Sequence, residues 1–162
     1  MRKLILPISI LTLAIVTLAS FRIQQDQPTF KPTDKDFIVG ATMTRYNITF
    51  GGGDCQTEVA DGKKTLDSLY LMMKSRPYLK IEIGVHAGEP WKKTKKCNPT
   101  QNGADAIRTY LVKKTIAKNL LSTVGYGTTE PLNTEVDEEE NPTAKAKKIN
   151  ERVVFKIIYS KY

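Results

Sequence analysis

Apolar and polar residues alternate over residues 42–50, with Tyr46, Ile48 and Phe50 on one side and Arg45, Asn47 and Thr49 on the other. Successive side chains of a strand point to opposite faces, so this stretch predicts a half-buried strand. Gly51, Gly52 and Gly53 then stop it. Over residues 64–75, Leu66, Leu69, Tyr70 and Met73 recur at spacings of three and four, the apolar stripe of a helix. Pro77 ends that helix, because the residue before a proline is pushed out of the helical region. Leu79, Ile81, Ile83 and Val85 alternate with Lys80 and Glu82 in a second strand, which closes on His86. A loop over residues 88–99 follows, holding Trp91, Lys92, Lys93, Lys95 and Lys96. A second helix is predicted over residues 101–118, capped by Thr100 and turning Ala104, Ile107 and Leu111 inward. A third strand covers residues 120–125 and runs into Gly125-Tyr126-Gly127. Residues 128–148 form a long loop with a short helix at its end. The last strand spans residues 152–159, with Val153, Phe155, Ile157 and Tyr159 on one face and Val154 and Ile158 on the other. Apolar residues on both faces mark a central strand or one covered on both sides.

The sum is a β-α-β-α-β-β order. It predicts an α/β two-layer sandwich, a mixed four-stranded sheet with helices on one side. The first two strands, joined by a helix, would lie parallel through a right-handed crossover.

The start of the chain reads differently. Arg2 and Lys3 precede an uncharged stretch from Leu4 to Phe21, with short side chains at Thr17 and Ala19. That is the pattern of a secretory signal cleaved before Ser20, or of a retained anchor that would engage a membrane. Either way the domain is exported. Residues 1–20 are therefore assigned to the signal or anchor, 21–40 to a linker containing Pro28 and Pro32, and 41–162 to the folded domain. Export makes Cys55 and Cys97, the only two cysteines, candidates for a disulfide; free thiols are the alternative. A bridge between them would be worth on the order of 4 kcal/mol in the chain-entropy model.

The net charge of +8 suits an acidic polymer, an anionic surface or nothing more than solubility. Nucleic acid is set aside because the chain is exported and carries no recognised nucleic-acid motif. His86 is the only histidine. No serine elbow or acid–base–nucleophile set accompanies it, so no catalytic residue is assigned. One His and two separated Cys fall short of a zinc site, and no cofactor is implied.

Several motifs in order resemble the outer membrane protein A-like, peptidoglycan-associating domain family. Ile81-Glu82-Ile83 leads to His86, on the family's Gly-His-Thr-Asp motif. Thr100 and Ala104 fall on its Leu-Ser-x-x-Arg-Ala helix start. Gly125-Tyr126-Gly127 is an intact match, and Asn150, Arg152 and Val153 fall on its Asn-Arg-Arg-Val motif. The resemblance covers residues 42–159. It implies a non-enzymatic domain of the periplasm or outer membrane of a Gram-negative bacterium, with peptidoglycan as ligand.

The departures fall where that family holds diaminopimelate. Its Asp corresponds to Gly88 and its Arg to Gly103; its Thr becomes Ala87, and its first Arg in the last motif becomes Glu151. An amino-acid centre needs an anion for its ammonium and a cation, preferably a bidentate Arg, for its carboxylate. Glu89, Lys92 and Lys93 are the nearby candidates to replace them. The candidate ligand set is thus His86, Gly88, Glu89, Lys92, Lys93, Gly103, Asn150 and Arg152. The expected function is an envelope-binding domain with a weakened or altered peptidoglycan site. The alternative is an envelope protein–protein interaction or structural module with a vestigial pocket, contacting its partner through residues 92–96 or 138–140.

Overall fold

The computed structural model describes residues 27–52, 57–90 and 97–161. Four strands, Thr42–Arg45 (β1), Lys80–His86 (β4), Leu121–Gly127 (β5) and Arg152–Tyr159 (β6), form one sheet in the order β1-β6-β4-β5. β4 and β5 run parallel, while β6 is antiparallel to β4 and to β1. A separate ribbon pairs Phe50–Gly51 (β2) with Glu58–Val59 (β3). Helices Lys63–Ser75 (α1), Pro99–Lys113 (α2) and Ala144–Asn150 (α3) complete the regular structure, with a 3-10 turn at Lys118–Leu120. The mixed sheet with helices on one face is the architecture that the residue pattern predicted.

The core follows from register. Ile81, Ile83 and Val85 of β4 lie opposite Ile157, Phe155 and Val153 of β6, and all six are buried. Leu66, Leu69 and Met73 of α1 and Ala104, Ile107 and Leu111 of α2 cover this face and are buried with it. Burying one such aliphatic side chain contributes roughly 1.5–3 kcal/mol. Phe30 and Phe37 join the same core, edge to face at 5.8 Å.

Three boundaries differ from expectation, each for a local reason. The predicted first strand is broken in two. Asn47 donates to Thr65 Oγ1 at 3.1 Å and Thr49 to Asp61 at 2.8 Å, so the chain leaves the sheet to meet the start of α1. Ile48 stays buried, and Phe50 pairs with Val59 instead of continuing along β6. The cap of α2 is Asn98, not Thr100: Asn98 Oδ1 accepts from Gln101 N at 3.2 Å, and Pro99 takes the first helical position. α2 also stops at Lys113, well short of residue 118. Thr115 turns left-handed at φ 78°, Thr115 N donates to Val112 O, and Ile116 N donates to Leu111 O. This is a Schellman closure, with buried Ile116 as its apolar residue. The first two sheet strands are parallel, but β6 lies between them.

β5 is an edge strand, and α2 closes that edge. Gly125 N donates to Gln101 Oε1 at 2.9 Å and Gly127 N to Thr100 Oγ1 at 3.2 Å. Side chains thereby occupy donors that would otherwise template another strand. Asp105 and Arg108 add to the seam, both bonded to Thr123 Oγ1, at 2.8 and 3.1 Å.

Candidate functional site

His86, Gly88, Glu89, Asn150 and Arg152 lie where β4 ends and β6 begins. His86 lies directly opposite Arg152 in the β4–β6 register. Gly88 and Glu89 follow His86, Gly103 sits in the second turn of α2, and Asn150 closes α3 just before β6. Lys92, Lys93 and Trp91 lie outside the described residues, as does Cys55. Cys97 precedes the α2 cap, with its sulfur 3.8 Å from Asn102 Nδ2.

Neither Gly88 nor Gly103 faces open space. A Cβ on Gly88 would run into the carbonyl oxygen of Lys147, with Lys147 Cα at 3.0 Å. A Cβ on Gly103 would stand 3.0–3.3 Å from the ring of Phe50. The first wall is the main chain of α3 and the second is a side chain of β2. Glu89, one residue past Gly88, is paired with Lys147 at 2.6 Å.

Asn150 and Arg152 are engaged by their own chain. Asn150 Oδ1 accepts from Leu132 N at 2.8 Å and Asn133 N at 3.0 Å, and its Nδ2 donates to Asn133 O at 2.7 Å. Arg152, buried, donates to Asn150 O at 3.1 Å and to Glu130 O at 3.0 Å. It makes no salt bridge to Glu151 or to the acidic run among the described residues. Together the two side chains pin the β5–α3 loop to the sheet. Asp137 shapes the far end by accepting from Glu139 N and Asn141 N. The loop and residues 87–90 enclose a cavity of about 200 Å³.

His86 has only 4% of its surface exposed and stacks on Tyr126, ring centroids 4.6 Å apart and 4° from parallel. Tyr126 lies across Gly84, where a Cβ would come within 2.8 Å of its ring. Its hydroxyl donates to Glu82 at 2.8 Å. Burial, helped by that carboxylate, pushes the Tyr126 phenol up to about 12. His86 Nδ1 is buried with no hydrogen-bond partner among the described residues. Stacking on Tyr126 holds the ring without a hydrogen bond at Nδ1. Burial first, and the Arg152 charge second, lower its pKa from 6.5 to about 4. The folded state therefore favours neutral His86. Its contribution is complete above pH 6.5 and is lost as pH falls through about 4. The gap is worth up to about 3 kcal/mol. Urea unfolding of the native chain should show this extra acid slope, and the variant His86→Phe should lack it. Equal slopes in both chains would refute the assignment.

Among the described residues, no three His, Cys, Asp or Glu side chains cluster as a metal site. None of their helices is long and apolar enough to cross a membrane. The family model of the OmpA family matches residues 50–145, a span that holds both His86 at the end of β4 and Gly125-Tyr126-Gly127 on β5. The chain belongs to the OmpA family.

The OmpA-family match takes in His86, Gly88, Glu89 and Gly103 and stops before Asn150 and Arg152. A MotB-like protein from Desulfovibrio vulgaris is similar in structure, with 19% identity, a TM-score of 0.51 and 65% of each chain covered. The cell wall anchor of the T6SS from Pseudomonas aeruginosa shows 17% identity and a TM-score of 0.48, covering 60% of this chain and 66% of the other. The peptidoglycan-associated lipoprotein from Burkholderia pseudomallei shows 20% identity and a TM-score of 0.47, covering 70% and 90%. The chain thus spans about 65% of the Desulfovibrio protein's length, and at this identity the likeness speaks for the fold alone. No curated protein sequence matches it.

Sequence reasoning missed Phe50, Lys147 and Glu130. Phe50 counted only as an inward strand residue. Lys147 meets Gly88 through its main chain and Glu89 through its side chain, and Glu130 acts through its carbonyl; the two main-chain roles leave no mark in the sequence.

Proposed function

We propose that this OmpA-family domain is a non-enzymatic binding module of the Gram-negative cell envelope, in the periplasm or at the outer membrane, with an altered diaminopimelate site. Family membership and the uncharged, signal-like stretch from Leu4 to Phe21 support the location. The walling of Gly88 by Lys147 and of Gly103 by Phe50 carries the altered site. A doubly charged guest loses both an anion and a bidentate cation there, and the chain's own atoms take up the space. Glu89 already has Lys147 as its partner, and Arg152 is spent on two main-chain carbonyls. Any remaining wall contact falls to Lys92 and Lys93, whose ammonium groups, as point charges, recognise a carboxylate less specifically than an arginine does.

The test is cosedimentation of the purified domain with sacculi, with and without free diaminopimelate. Weak, salt-sensitive retention that free diaminopimelate leaves unchanged is expected. Tight retention abolished by free diaminopimelate would overturn the reading.

A further inference from the structure

The β5–α3 loop is long, yet it is held in place at both ends and at its tip. Arg152 holds the Glu130 carbonyl, Asn150 holds Leu132 and Asn133, and Val136 bridges Pro142. What this built platform displays is unusual for a solvated loop. Leu132 and Val136 are 60% and 52% exposed. Between the loop and the end of β4 lies the cavity of about 200 Å³, with Ala87, Pro90, Pro131, Val136 and Pro142 in its lining. Sites for drug-sized ligands or cofactors run to about 300–1,000 Å³, so this one suits one or two aliphatic side chains.

Charge selects the occupant. Glu130 and Glu135 line this apolar opening, Glu138, Glu139 and Glu140 follow on the same loop, and all five are exposed. Among the described residues only Glu135 of these has a lysine partner, Lys145 at 3.4 Å. An apolar pocket with two carboxylates in its lining and three more along the same loop matches an extended peptide that carries an aliphatic anchor between lysines or arginines. We infer that this cavity docks a basic segment of a partner protein, an apolar residue seated between Pro90 and Val136 and flanking cations facing the acidic tip. The inference rests on the envelope reading only for where that partner resides.

Fluorescence anisotropy with a labelled Lys-Lys-Leu-Pro-Lys-Lys peptide tests it on the full chain. A Lys-only peptide of equal length and an acidic Glu-Glu-Leu-Pro-Glu-Glu peptide serve as comparisons. The leucine peptide should bind, and the other two should bind at least about tenfold more weakly. Raising salt from about 0.05 M to about 0.5 M should weaken the complex. The triple substitution Glu138→Gln, Glu139→Gln, Glu140→Gln should cost affinity, and Val136→Asp should abolish binding. All four positions are exposed, so the fold, checked by circular dichroism, should be unaffected. Equal binding of the Lys-only peptide, indifference to Val136→Asp, or no binding of the leucine peptide would overturn the inference. So would self-association of the chain through this face, since the occupant would then be a second copy. Sacculus retention is measured separately, so failure here leaves the peptidoglycan reading where that assay puts it.

Discussion

Gly125→Ala should destabilise the domain by about 3 kcal/mol or more, lowering the melting temperature by roughly 10 °C. An added Cβ would collide with the Gln101 amide nitrogen and stand 2.6 Å from Gln101 Cα. Both atoms are main chain in the first turn of α2, so no rotamer change relieves the contact. Either α2 lifts from β5 or β5 leaves β4. Lifting α2 breaks the bonds from Gly125 N to Gln101 and from Gly127 N to Thr100, which reopens the sheet edge. The variant should therefore also aggregate more readily on heating, as an uncovered edge strand invites pairing between chains. Differential scanning calorimetry and light scattering read the two effects. A melting temperature within a degree or two of the native chain's would mean that α2 does not pack this closely.

The sheet and its helices were legible in the sequence because hydrophobic burial there follows period. Ile81, Ile83 and Val85 alternate, Leu66, Leu69 and Met73 keep helical spacing, and each set is buried as its period requires. The last strand's two-sided pattern correctly marked a position inside the sheet, between β1 and β4. What the pattern hid was decided by hydrogen bonds rather than period. Alternation runs unbroken through Ile48 and Phe50, but Asn47 and Thr49 turn outward to α1 and end the strand. Nothing in a helical stripe announced that Thr115 would turn left-handed and close α2 early. At the cleft, the resemblance set the family's Asp and Arg against Gly88 and Gly103, but it could not show that Lys147 and Phe50 stand against these two glycines, since those contacts join residues far apart in the chain. The Gly-Tyr-Gly motif also gains a structural account. Gly125 admits α2, Tyr126 covers Gly84 and His86, and Gly127 turns the chain at φ 59°.

Putting the family's acid and guanidinium back, as Gly88→Asp with Gly103→Arg, should not restore diaminopimelate binding, and the two changes should fail for different reasons. At Gly88 the obstacle is main chain: Lys147 C lies 2.9 Å from the new Cβ, beside its carbonyl oxygen. That carbonyl accepts from Glu151 N at 2.9 Å, so moving it loosens the end of α3 and the entry into β6. A cost of about 3 kcal/mol is expected, in the range of overpacking with no soft neighbour. At Gly103 the obstacle is the Phe50 ring, which can swing aside. Removing a helical glycine returns up to about 1 kcal/mol, which offsets only part of the cost of displacing that ring. Its guanidinium would still need a partner, because an unpaired charge at this buried position is costly. Adding Phe50→Ala would open room for the arginine but would leave Gly88 walled. Urea denaturation should thus rank Gly103→Arg below the native chain and Gly88→Asp, walled by main chain, lower still. Sacculus retention should stay insensitive to free diaminopimelate in the double variant. A double variant as stable as the native chain, with diaminopimelate-competed retention, would show that α3 yields easily and that the cleft lacks only its two charges.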